Sequence, residues 1–294
     1  MEAAQAFLNG PGLIPQLVIV VVVLAVFYAI FNIYDQVIKL YNKFMNQTVT
    51  LVSDTITGTQ IIPQYPRSGF PLLYQSENEV NGLEQSFSMW IFVHPDTFDN
   101  TTTYDKCGDS STTAKTQRMK HIFHKGNADA FPLLAPGIFC QSDKNTIRIY
   151  ANSVNKWDNY VEVPNIPVGK WFHMVISQKG KFMDVFINGN VIARHQFDTV
   201  PKINYGGIYL LSNVRTPRDP STPIPTDDGN FAIDGPIKGM ISRVKYFAYA
   251  VNYSHIDSLY RESPSNVIKT NTALQLATGQ RPPYFWDNWW VTHY

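Results

Sequence analysis

The 294-residue chain has two cysteines, Cys107 and Cys140. Two are too few for a disulfide framework, and their spacing fits no zinc motif; one bridge or two free thiols both stay open. Charge is also scarce. Asp, Glu, Lys and Arg together make 16% of the chain and the formal net charge is +1, with no concentrated basic face of the kind that neutralises phosphates. Nucleic acid is therefore not an expected partner. Glutamate is confined to Glu2, Glu77, Glu79, Glu84, Glu162 and Glu262. A retaining β-glucan hydrolase needs two carboxylates about 5 to 5.5 Å apart, hence acidic residues at alternating positions of a strand, and no strand-like run has them. Glu77 and Glu79 lie in a polar, loop-like stretch (QSENEVNG), where they read as a solvated pair. Gly-rich phosphate loops, nucleophile elbows and Cys/His dyads are missing as well. The chain reads as non-enzymatic.

What it does have, first, is a long apolar run. No charged residue lies between Glu2 and Asp35, and residues 17–34 are almost wholly apolar, with Leu17, Val22, Phe27, Phe31 and Tyr34 marking the span and Asn32 its one strongly polar member. At about 1.5 Å per residue this run, extended by Leu13 and Ile14, approaches the roughly 30 Å hydrocarbon core of a bilayer. Two other readings compete. A valine-rich run suits a buried strand, but strands seldom exceed about ten residues. A cleaved signal peptide would carry a basic leading region and a small-x-small site before Asp35, and neither is present. A single-pass anchor in a lipid bilayer is expected. Beyond it, Val37, Ile38, Leu40, Tyr41, Phe44 and Met45 recur at helical spacing among Lys39 and Lys43, which predicts an amphipathic stalk out to about residue 48.

After Asn46 the pattern becomes short strand-like runs broken by Gly, Pro, Asn and Asp, and 14% of the chain is aromatic. This is the sequence form of a β-sandwich or barrel. SFSMWIFV (residues 86–93) is a core strand stopped by Pro95. Residues 170–193 read as three strands joined by turns at Lys179-Gly180 and Asn188-Gly189, the second being the strongest short hairpin signal because a type I′ turn needs positive φ at both central positions. A further strand is expected over residues 238–250, then a helical turn over 254–260.

Four blocks in order, FSMWIFV (residues 87–93), HIFHKGN (121–127), GKWFHMVISQKGKFMDVFINGNVI (169–192) and DGPIKGMISRVKYFAYAVNYSHIDSLY (234–260), resemble the concanavalin A-like lectin/glucanase superfamily in its laminin-G-like branch. The resemblance implies an all-β fold, a concanavalin A-like antiparallel β-sandwich (jelly roll) over residues 49–262, preceded by one N-terminal transmembrane helix within residues 1–48 and followed by a polar connector and aromatic tail over 263–294. Its hydrolase members use a Glu-x-Asp-x-x-Glu strand pattern that this chain lacks.

Candidate sites are few. Asp227, Asp228 and Asp234 flank a Pro-rich loop, and clustered carboxylates there would take calcium through oxygen ligands; a solvated loop is the alternative. His121 and His124, at i and i+3 in a strand, are expected on opposite faces and so not as a metal pair. Trp157 and Tyr160, in the loop-like NSVNKWDNY, are the candidates for stacking on a glycan, and packing beneath their own loop is the alternative. In the tail, Tyr284, Phe285, Trp286, Trp289 and Trp290 make a patch too apolar to stand free, which points to docking on a partner protein, on the chain's own sandwich or at a membrane interface. A single-pass anchor followed by a laminin-G-like domain also resembles virion proteins of large double-stranded DNA viruses with an internal membrane, which implies capsid or membrane proteins of an assembly as partners. A membrane lectin binding glycans is the competing class. Lys39 and Lys43 follow the apolar run while no Lys or Arg precedes it, so the β domain is expected on the cytoplasmic side during synthesis.

Overall fold

The computed structural model describes residues 13–76, 83–99, 116–219 and 222–269. The chain divides into two units, Met1–Gln47 and Thr48–Tyr294.

The first unit holds one unbroken helix, α1 (Leu13–Asn46). Valine is a mediocre helix former in water, but a helix meets all its backbone hydrogen bonds within the segment, which hydrocarbon demands. Leu17–Ile38 is long and apolar enough to cross a membrane, and none of it is buried against protein. Leu17, Val22, Phe27, Phe31 and Tyr34 are all exposed on it. Asn32 is accommodated because its Nδ2 donates to the Tyr28 carbonyl at 2.8 Å. The apolar run and the stalk are thus one helix rather than two elements.

The second unit is a β-sandwich, its strands numbered in chain order. One sheet runs β10 (Asn190–Gln196), β9 (Phe182–Ile187), β8 (Trp171–Lys179), β3 (Glu84–Val93), β15 (Gly239–Phe247), β1 (Thr48–Ile56), β16 (Ile268–Lys269). The other runs β12 (Arg215–Thr216), β14 (Gly229–Pro236), β4 (Thr116–Gly126), β5 (Leu134–Gln141), β6 (Thr146–Ala151), β7 (Asn159–Pro164); β11 (Gly207–Leu210) pairs with β4 and with β2 (Gln60–Ile62), and β13 (Ile224–Thr226) with β14. Pairing is antiparallel apart from β1 with β16 and β14 with β4, which are parallel.

The interior follows from strand alternation. Phe87, Met89, Ile91 and Val93 of β3 and Phe172, Met174 and Ile176 of β8 face Ile138 and Cys140 of β5 and Ile147 and Ile149 of β6 in one core. The expected hairpins are present: Gly180 turns at φ 56°, and Asn188 and Gly189 turn at φ 50° and 83°. Bulges shift the alternation on β15, where Arg243 sits at φ 49° and Ile241 and Val244 both point inward. A second helix, α2 (Tyr253–Arg261), is capped by Asn252, whose side chain accepts from the His255 N–H, and it lays Ile256 and Leu259 against Val175 and Phe247 on the outer side of the first sheet. From Glu262 to Lys269 the chain stays with the sandwich. The Ser265 N–H donates to Ser242 Oγ at 2.9 Å before β16 joins the sheet edge.

Candidate functional site

On β6, Ile147 and Ile149 point into the core, so Arg148 and Tyr150 between them point out of the second sheet. Register then sets their neighbours: Arg148 opposite Glu162, Tyr150 opposite Tyr160 on β7, and Phe139 of β5 opposite Arg148. The result is a covered cluster of Met119, Phe139, Tyr150 and Phe231, edged by Trp157 and Tyr160, with one guanidinium in its midst. Arg148 is 4% exposed. Its Nε donates to Glu162 Oε1 at 2.6 Å, its Nη2 to Asp228 Oδ2 at 2.8 Å and its Nη1 to Tyr150 Oη at 3.3 Å, while its Cζ lies 4.3 Å from the Tyr160 ring centre.

Asp228 closes the arrangement from the β13–β14 hairpin. Its Oδ2 also accepts from Gln117 Nε2 at 2.8 Å and from Tyr160 Oη at 3.0 Å, and Oδ1 accepts from Thr226 Oγ1 at 3.0 Å. Burial opposes its ionisation, but the Arg148 charge and these donors outweigh it and hold the carboxyl below its ordinary range. Burial pushes both tyrosine hydroxyls up, Tyr150 and Tyr160 alike. Chemically the cluster is a charge-paired, hydrogen-bonded latch between hairpin and sheet.

Of the sequence-stated site residues, three meet here. Trp157 packs edge-on to Phe131 and Phe231, with ring centres 4.9 and 5.4 Å away, and Tyr160 has both its hydroxyl and one ring face engaged. Both are half-buried in the latch. The three aspartates do not converge. Asp227 pairs with Lys156, Asp228 with Arg148, and Asp234 with Lys120 at 3.2 Å; among the described residues no group of three or more His, Cys, Asp or Glu is arranged to hold a metal ion. Tyr284, Phe285, Trp286, Trp289 and Trp290 lie outside the described residues, as do Cys107, Glu77 and Glu79. Arg148 and Glu162 were not marked by sequence reading, although an arginine alternating with isoleucines in TIRIYA was the available signal.

The histidines correct an expectation. His121 and His124 do not lie on opposite faces. The β4–β5 register shifts between His121 and Phe123 and again between His124 and Gly126, and this irregularity brings His121 Nε2 to 2.6 Å from His124 Nδ1. Both rings are fully buried, and Tyr209 stacks on His124 at 4.5 Å. Burial, with His124 adding to it, drives His121 well below the ordinary imidazole range, and burial lowers His124 to about 4. On the other sheet, burial and then Lys245 lower His173 to about 4; its Nε2 meets Ser88 Oγ at 2.8 Å beside Trp90, and Tyr260 of α2 stacks on Trp90 at 5.7 Å.

No protein-family model matches the chain, and no curated protein is significantly similar to it. Among solved structures it is similar to the receptor binding domain of botulinum neurotoxin D (TM-score 0.43, 14% identity, 74% of this chain and 44% of that one). Similar too are the serotype D ligand binding domain in complex with N-acetylneuraminic acid (0.42, 14%, 74% and 42%) and the serotype G binding domain (0.39, 16%, 61% and 36%). This chain spans less than half the length of each of these proteins.

Proposed function

We propose that the chain is a membrane-anchored, non-catalytic structural and interaction protein that links an internal membrane to the capsid shell of a large double-stranded DNA virion. The observation that carries the reading is the pairing of a 22-residue apolar helical span bearing no protein cover with a sandwich whose candidate carboxylates and paired histidines, among the described residues, are engaged by other side chains. Glu162 and Asp228 are committed to Arg148, Asp227 to Lys156, Asp234 to Lys120, and His121 to His124. A carboxylate held by an arginine and several donors is a poor general base and a poor metal ligand. In this reading Leu17, Val22, Phe27, Phe31 and Tyr34 face lipid, and the aromatic tail at Tyr284, Phe285, Trp286, Trp289 and Trp290 docks on a neighbouring protein.

The test is recovery of the chain from purified particles in fixed stoichiometry with a capsid protein, together with resistance of the anchor to alkaline carbonate. Absence of the chain from purified particles, extraction by carbonate, or a mature N-terminus beyond Tyr34 contradicts it. The competing class is a glycan-binding lectin. Tyr160 lies under Arg148 and Trp157 packs against Phe131 and Phe231, which weighs against their stacking on a sugar.

A further inference from the structure

One end of the sandwich collects exposed apolar and basic side chains, and it is the end to which the helix is joined in sequence. Gln47 alone stands between α1 and β1. Thr48 opens β1 opposite Phe247, Phe247 lies opposite Ser86, and Ser86 opposite Ser177. Two residues further toward the same end, Lys179 of β8 faces Phe182 of β9, and Phe182 faces Gln196, the last residue of β10.

The chain then crosses to the other sheet at that end. The Phe197 N–H donates to the Lys181 carbonyl at 2.9 Å, and three residues later the Val200 carbonyl accepts from the Val154 N–H at 3.1 Å, a step of about 10 Å, the spacing of packed sheets. The segment continues through Lys202 to Tyr205. The end therefore presents Phe182 at 42%, Val200 at 56% and Tyr205 at 76% exposure, with Lys181 and Lys202 among them, both exposed. Among the described residues its acids are Asp198, which is exposed, and Glu84, buried beside Lys179. Tyrosine and short apolar side chains interspersed with lysine are the composition that sits at a bilayer surface.

Distance permits the contact. From Ile38, where the apolar span ends, to Asn46 is a rise of about 12 Å. The headgroup layer occupies about 5 to 7 Å of that, and any tilt of the helix shortens the rest. The remaining gap is shorter than the Debye length of about 8 Å at physiological salt. Resting on the membrane-anchored reading above, we infer that this end of the sandwich is a membrane-contact face for anionic lipid headgroups of the same bilayer that α1 spans.

The experiment uses the full chain with Cys107→Ser, reconstituted through α1 into vesicles of phosphatidylcholine and phosphatidylserine at about 7:3. An environment-sensitive fluorophore is placed by Val200→Cys at the proposed face, or by Val191→Cys on β10 beside the Asn188-Gly189 turn at the opposite end. Headgroup-proximal spin-labelled lipid should quench the first and leave the second unquenched. Lys181→Glu with Lys202→Glu should weaken that quenching by about fivefold per lysine in the contact equilibrium, as should high salt. Equal quenching at both sites, or none at either, in a chain that resists carbonate extraction overturns the contact face and leaves the anchor standing. Extraction by carbonate overturns the anchored reading and the contact face with it.

Discussion

His121 Nε2 stands 2.6 Å from His124 Nδ1, and the hydrogen bonds at either side fix where the protons lie. The Ser212 N–H donates to His121 Nδ1 at 3.0 Å, so that nitrogen is bare and Nε2 carries the proton; His124 Nδ1 must then accept it, leaving His124 Nε2–H to donate to the Asn127 carbonyl at 2.8 Å. One backbone donor and one backbone acceptor are thus joined through two neutral rings, and both rings are satisfied only while uncharged.

Stability should consequently fall in acid. Both folded-state values are depressed, His121 well below 6.5 and His124 to about 4. The unfolded chain therefore binds more protons once the pH drops below about 6.5. The pair's contribution is full above that pH and is lost as the pH falls toward 4, at up to about 1.4 kcal/mol per pH unit for each ring. Urea unfolding at pH 7, 5.5 and 4.5 should show the decline, and imidazole nitrogen resonances should show His121 protonated at Nε2 and neither ring titrating between pH 7 and 5. Titration of either ring near 6.5 in the folded protein contradicts the geometry.

The Arg148 latch should behave as a buried ion network. Arg148→Met strips the cation from Glu162 and Asp228, whose side chains are 35% and 28% exposed. Partial hydration of both carboxylates puts the expected loss at the low end for a broken buried pair, about 3 kcal/mol. Adding Glu162→Gln and Asp228→Asn removes the stranded charges and should restore part of it. If the single variant loses nothing in chemical denaturation, the network is ornamental.

These two clusters differ in how far the sequence disclosed them. The hairpin at Asn188-Gly189 was legible because its turn chemistry and the period-two alternation around it agree. Trp157 and Tyr160 were legible as aromatic and polar, but not as covered, because what covers them comes from far along the chain, Phe231 on a strand pairing parallel to β4 and Asp228 in the turn before it. The His121–His124 contact was misread since a register irregularity has no local signature. A two-residue strand such as β16 carries too little pattern to be read at all.

Trp157→Ala separates packing from recognition. Removing a half-buried indole that contacts Phe131 and Phe231 should cost about 2 kcal/mol and change no glycan-array signal. Loss of a defined glycan signal with an unchanged unfolding midpoint would instead favour the lectin.

The last expectation concerns topology. Lys39 and Lys43 follow the apolar span on α1 and no Lys or Arg precedes it, so the sandwich should be made on the cytoplasmic side. Three glycosylation sequons, at Asn46, Asn100 and Asn252, oppose this, but with 22 asparagines and roughly one residue in eight being Ser or Thr, about three arise by chance. Asn252 has a structural task of its own, accepting from the His255 N–H at 2.8 Å to cap α2. Cys140 points the same way. It is fully buried in the sandwich interior, and burial pushes its thiol up to about 12, far from the reactive thiolate range. A bridge to Cys107 would have to reach between the sheets. Protein from its native source should therefore show no mobility shift on deglycosylation, and mass spectrometry should find Cys107 and Cys140 unlinked, as in a reducing compartment. A glycan on Asn100 or Asn252, or a Cys107 to Cys140 disulfide, reverses the topology and favours a cell-surface lectin over a virion linker.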